Sequence, residues 1–235
     1  MAEAMMGEPS DVSRVLFPGD YNTAAVVTQG LYQTQGQIWT LVVPKMDGVA
    51  DLFTPEEAAR LLEQGALRLD WAGHEVARQR VVLTAVGSYQ LEEVLKATTR
   101  LTERDIPHSV VYILEPGRFR TPRSSGEAAH AAPTALQAEL YPDEVPARVF
   151  VSHTRPEPLL GTLQPLNTGQ RTAGLGFINH GGTLSVAGFL FINRCSWAHI
   201  LAEVARVLGP TPEELLSSDE LAALDGKASP EGVIV

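Results

Sequence analysis

Three nearly uninterrupted apolar runs constrain this chain more than any other feature: 80–86 (RVVLTAV), 109–114 (SVVYIL) and 147–152 (ARVFVS). A strand with one wet face alternates apolar and polar residues, so a run without alternation must be covered on both faces. Gly87-Ser88 and a helical pattern over 90–103 separate the first two runs, which is the arrangement of a parallel strand crossover. The pattern predicts an α/β fold: three layers, with a mostly parallel sheet and helices on both faces. Further strands are expected at 175–178 and 189–192, an amphipathic helix over 197–208 (WAHILAEVARVL), and a helix over 211–224. The tail from Asp225 is expected to be loose.

A smaller unit precedes the sheet. A strand over 13–17 is closed by Pro18-Gly19-Asp20, a helix covers 24–32, and a second strand over 37–43 (QIWTLVV) ends at Pro44-Lys45, giving a small βαβ segment. Thr54-Pro55-Glu56-Glu57 opens the next helix: Thr54 caps it, Pro55 takes its first position and Glu57 completes a capping box. That helix runs to Gln64, ahead of Gly65. Pro, Ser, Ala and charge dominate 116–146, which reads as a long surface excursion with one short helix near 134–140. The organisation expected is a βαβ segment over 1–50, a linker helix over 51–78, an α/β domain over 79–210 and a helix with tail over 211–235.

Composition excludes several classes of function. Lys and Arg number 18 against 28 Asp and Glu, a net charge of −10 that disfavours nucleic acid and anionic membrane as partners. No apolar run reaches the roughly 18 residues of a membrane span, and the opening MAEAMMGEPSDVS lacks a basic and then apolar leader. With Cys195 as the single cysteine, no intramolecular disulfide can form, and a reducing, cytoplasmic compartment is expected.

The order of segments resembles a phosphoketolase of the transketolase superfamily, over 13–208. RVLFPGDYNTAAVV is similar to that family's strand and Pro-x-Asp-x-Asn turn near the end of its pyrimidine-binding domain. WTLVVPK is similar to its next strand, with Pro44 in place of a glycine and Lys45 keeping the lysine. FTPEEAARLLEQGALRLDWAG resembles the interdomain linker helix with its ending at Trp71-Ala72, and VVLTAVGSYQLEEVLKATTRL the first strand and helix of the C-terminal domain. GLGFINHGGTLSVAGFLFINRCSWAHIL resembles the closing strand and the helix entry, here Asn193, Trp197, His199 and Ile200.

The resemblance implies a three-domain enzyme that cleaves ketose phosphates with phosphate to acetyl phosphate and a shortened aldose phosphate, using thiamine diphosphate and a divalent metal. Its cofactor motif, Gly-Asp-Gly with a later Asn, is missing: the only Gly-Asp pair, Gly19-Asp20, is followed by Tyr21. The family's catalytic glutamate lies upstream of the matched portion. Thiamine diphosphate and Mg²⁺ are therefore expected only through a partner chain, in a heteromer with a cofactor-domain protein or in a homodimer, with no activity of the chain alone. The alternative is a non-catalytic binding or oligomerisation module that takes a sugar phosphate or another anionic metabolite.

The resemblance makes Lys45 a substrate-binding residue, a point charge for a sugar phosphate; the bland alternative is a solvated lysine at a strand end. His153, in Ser152-His153-Thr154-Arg155, follows a buried strand where α/β proteins place ligand groups, although Thr154 stands where the family has glycine. No catalytic residue and no metal ligand is assigned. Asp20 and Asn22 read as builders of their own turn. Asn179-His180-Gly181-Gly182 could bring bare N–H groups to a phosphate and is read as a turn. Cys195 and His199, four apart on a helix, read as core packing, and Gly174-Leu175-Gly176 lacks the third glycine of a dinucleotide fingerprint. Arg118, Arg120 and Arg123 read as a solvated stretch or an anion contact.

Overall fold

A computed structural model describes residues 1–45, 51–167, 169–178 and 182–235. In chain order the elements are α1 (Ala2–Gly7), β1 (Ser13–Leu16), α2 (Tyr21–Gln33), β2 (Ile38–Leu41), α3 (Pro55–Gln64), β3 (Ala66–Arg68), β4 (Val81–Val86), α4 (Ser88–Glu103) and β5 (His108–Ile113). After β5 come α5 (Ser125–His130), α6 (Thr134–Leu140), β6 (Ala147–Ser152), α7 (Pro156–Thr162), β7 (Arg171–Leu175), α8 (Val186–Ile192), α9 (Trp197–Leu208) and α10 (Ser218–Leu224). Among the described residues no helix is long and apolar enough to cross a membrane.

The apolar runs form the middle of one sheet of order β3-β5-β4-β6-β7, in which β3 is antiparallel to β5 and the other pairs are parallel. Every residue of β4, β5 and β6 is buried, as continuous hydrophobicity requires. Alternation along each strand divides the core in two. Leu83, Ala85, Tyr112 and Val149 face one side, against Leu91 and Val94 of α4 and Ile200 and Val204 of α9. Val82, Val86, Ile113 and Phe150 face the other, against Phe17, Phe119, Tyr141 and Leu159. This is the three-layer α/β architecture the runs predict.

The small unit is a separate parallel pair, β1 beside β2, joined through α2. It is fastened to the large sheet through β1. Arg14 donates two hydrogen bonds to Glu115 at 2.9 and 2.7 Å, the Phe17 N–H donates to the Leu114 carbonyl at 2.8 Å, and the Tyr112 hydroxyl donates to the Phe17 carbonyl. Gly19 sits so close that a Cβ there would lie 2.9 Å from the Phe53 ring and 3.1 Å from Tyr112. Only glycine lets the turn approach that near.

Four expectations are corrected. Residues 189–192 belong to helix α8 rather than a strand: VAGFLFI has no period of either kind, and the Ser185 side chain, accepting from the Gly188 N–H, caps the segment as a helix. The strand expected at 175–178 lies earlier, as β7. The segment over 116–146 is no surface excursion, because Phe119, Leu140, Tyr141 and Val145 are buried on the sheet. The tail beyond Asp225 is not loose: Ile234 is buried in the core and its carbonyl accepts from Trp197 Nε1 at 3.3 Å.

Candidate functional site

Strand order decides where a ligand site can form. From the end of β4, α4 leads to β5 on one side, while β6 lies on the other side of β4 and is followed by α7. The two helices leave on opposite faces, α4 packing with Leu91 and α7 with Leu159. That switch opens a crevice outside the carboxyl ends of β4 and β6. The end of β2 reaches the same place. A cavity of about 540 Å³ results, whose lining includes Val43, Pro44, Lys45, Tyr89, Gln90, His153, Phe177 and Phe189.

Lys45 and His153, remote in sequence, thus line one cleft. His153 follows β6, its N–H donating to the Val86 carbonyl at 2.9 Å, and its ring is exposed at the mouth. The cleft walls lower its pKa by desolvation, an effect that the ring's exposure limits. Behind it, Ser152 Oγ and Thr154 Oγ1 lie 2.8 Å apart, and the Phe177 N–H donates to the Thr154 carbonyl at 3.1 Å. Gly176 has to be glycine here, because a Cβ would sit 2.2 Å from that carbonyl. Lys45 is exposed and lines the same cleft.

Other candidates fall away from the cleft or into its frame. Asp20 caps α2, accepting from the Thr23 N–H at 2.8 Å, and its second oxygen accepts from the Phe53 N–H at 2.8 Å; Asn22 Nδ2 donates to the Phe53 carbonyl at 2.8 Å. Cys195 borders the cavity, yet its Sγ donates to the Asn193 carbonyl at 3.3 Å, and burial pushes its pKa up to about 12. His199 Nδ1 lies 2.8 Å from Ser196 Oγ instead, and desolvation, aided by the charge of Arg194, lowers its pKa to about 4. The pair shares no proton. The turn expected at 179–182 has only Gly182 among the described residues.

Arg118, Arg120 and Arg123 are each engaged within the chain: Arg118 and Arg120 are partly buried, while Arg123 is exposed as expected. Arg118 pairs with Glu115 at 3.0 Å, Arg123 with Glu127 at 2.6 Å, and Arg120 donates to the Met6 carbonyl at 3.1 Å. Burial opposes ionisation of Glu115, but hydrogen bonds from Arg14 and His130 and the charges of Arg14 and Arg118 outweigh it and hold its pKa at about 2.

The donor set does not fit the metal-diphosphate group that the sequence resemblance implies. Such a group needs hard oxygen ligands beside the substrate cleft. Among the described residues the one group of three potential metal ligands, His74, Glu75 and Asp105, is at the other end of the sheet: His74 bridges to His108, the first residue of β5. His74 is already paired with Asp105 at 3.0 Å, and both carboxylates are exposed.

The class that fold and site define is an α/β protein with a cleft at the carboxyl edge of a parallel sheet. No protein-family model matches the sequence, and no curated protein matches it either. Solved structures share its fold. A transketolase from Leishmania mexicana superposes on 91% of this chain with a TM-score of 0.65 at 13% identity. A split-gene transketolase described as an inactive β4 tetramer covers 83% with a TM-score of 0.58 at 15% identity. A transketolase from Campylobacter jejuni covers 82% with a TM-score of 0.54 at 14% identity. The fold is the one found in these transketolases, and the chain spans only a part of each: 27%, 57% and 26% of their lengths.

Sequence reasoning missed Tyr89, Gln90, Phe177 and Phe189 as cleft walls. Gly87 carried the one usable signal, a glycine between a buried strand and a helix, where backbone often approaches a ligand.

Proposed function

We propose that this chain is the C-terminal subunit or fragment of a transketolase-like carbohydrate enzyme of the phosphoketolase kind, which cleaves a ketose phosphate to acetyl phosphate. A partner chain supplies thiamine diphosphate and Mg²⁺, and this chain supplies part of the sugar-phosphate site. Lys45 acts as a point charge for the phosphate, and His153 hydrogen-bonds the substrate in the same cleft. The observation that carries the reading is the meeting of Lys45 and His153 on one cleft, at the seam between the two sheets. The likeness to a split-gene transketolase supports a division of the enzyme between chains. A single buried cysteine agrees with a cytoplasmic setting.

The test is reconstitution. The chain, used as bait in an extract of its own cell, is expected to retain a cofactor-domain protein. The pair, given thiamine diphosphate and Mg²⁺, is expected to form acetyl phosphate from a ketose phosphate and phosphate, and Lys45→Ala to raise KM by tenfold or more. A pair without turnover, or turnover by the chain alone, overturns the reading.

A further inference from the structure

The deeper part of the cleft has a chemistry that a sugar phosphate does not account for. Its walls are mostly apolar, and Phe177 and Phe189 stack there with centroids 5.6 Å apart and planes 18° from parallel. A polyhydroxylated chain gains little from such a surface. The volume of about 540 Å³ suits a small organic molecule.

Beside this apolar wall stands the start of α4. Its N-cap, Gly87 at φ +114°, has no side chain to cap with, and Leu91 is the residue whose N–H returns to the Gly87 carbonyl, at 3.0 Å. No side chain among the described residues caps the N–H groups of the first turn, and the positive end of a 16-residue helix lies behind them. A hollow of about 10 Å³, room for one water, is lined by Gly87, Ser88, Tyr89, Gln90 and His153 and adjoins the main cavity.

Gln90 is the second, independent observation. It is only 4% exposed, yet its Oε1 has no hydrogen-bond partner among the described residues, and it lines both the hollow and the cavity. A buried amide without a partner carries a desolvation cost that a ligand would relieve. Turning the amide by 180° exchanges acceptor for donor, so Gln90 can serve an anionic oxygen through Nε2 or a hydroxyl through Oε1. Charge points the same way: in a chain of net charge −10, no carboxylate lines this cavity among the described residues, and the one charged side chain at its rim is Lys45.

We propose that the cleft binds a phosphate monoester with an apolar body, its head between Gln90, the first turn of α4 and Lys45, its body against Phe177 and Phe189. This site shares the cleft and Lys45 with the reading above, but its test reads binding to the chain alone, without a partner or turnover, so either can fail while the other stands. Calorimetric titration of the purified chain with phenyl phosphate, inorganic phosphate and phenol separates head from body. Phenyl phosphate is expected to bind at least tenfold tighter than either of the others. Gln90→Leu, which keeps the shape, is expected to weaken it by tenfold, and Lys45→Met by a few-fold. Gln90→Glu, nearly the same size, places a negative charge in the cleft and is expected to abolish binding; it serves if the leucine variant does not fold. Inorganic phosphate or phenol binding as tightly as phenyl phosphate would overturn the proposal, as would unchanged affinity in a folded Gln90 variant.

Discussion

Both sheets of this molecule are built around parallel strand pairs, yet the middle of one is sealed and the other is open. In the five-stranded sheet, β4, β5 and β6 are buried along their whole length, with helices on each face. In the two-stranded sheet, β1 is buried, whereas Ile38 of β2 is 55% exposed and none of β2 is fully buried. Parallel strands need cover on both faces and a neighbour on each edge. The large sheet supplies both for its central strands β5, β4 and β6. The small one is fastened to its larger neighbour through Arg14, Phe17 and Tyr112, and among the described residues its other flank presents exposed Ile38 and a strand edge without a partner strand. A second chain would close that flank, which is why the contrast bears on function.

Substitutions can break this contrast at either end. Leu83→Ala empties a position on the central strand that is 0% exposed and is expected to cost about 4 kcal/mol, read from urea denaturation. A loss below ~1 kcal/mol would mean that the large sheet is not the stable body. Arg14→Ala undoes the fastening: it deprives buried Glu115 of its bidentate partner and is expected to cost about 3 kcal/mol in the same measurement.

Acid probes the same fastening. The pKa of Glu115 drops from an ordinary 4.5 to about 2 on folding, so its contribution is complete above pH 4.5 and is lost as the pH falls towards 2. A loss of up to ~3 kcal/mol across that window is expected from this group, and Glu115→Gln should flatten that part of the curve. An unchanged pH profile in the glutamine variant would remove Glu115 from the account. The smallest effect on stability belongs to the open flank: Ile38→Ser should shift the stability of the isolated chain by no more than about 0.5 kcal/mol, while weakening retention of a partner in pull-down.

Legibility in the sequence follows the same division. The buried strands β4, β5 and β6 are readable because a short apolar run without alternation has to be covered on both faces, and α3 is readable because Thr54, Pro55 and Glu57 each have one favoured place at a helix start. β3 is not legible, since three residues carry no period. α8 reads wrongly as a strand because an all-apolar heptapeptide fits strand and helix alike. Arg118 and Arg120 look solvated in the sequence because their burial and their partners emerge only from packing, as does the pairing of Arg14 with Glu115, 101 residues away. For the cleft, the strand ends carrying Lys45 and His153 can be located from the pattern, but the orphaned amide of Gln90 and the aromatic wall emerge only from packing.

Amide hydrogen exchange tests the contrast most directly. The Ile38 N–H donates to the Val12 carbonyl at 2.8 Å and the Val42 N–H to the Leu16 carbonyl of β1 at 2.9 Å, so alternation turns those of Trp39 and Leu41 to the open edge. In the isolated chain, Trp39 and Leu41 are expected to exchange orders of magnitude faster than the β4 amides, and to slow once a partner chain binds. Protection at Trp39 and Leu41 equal to that of Leu83 in the isolated chain would show that the small sheet is already closed, and would contradict the account.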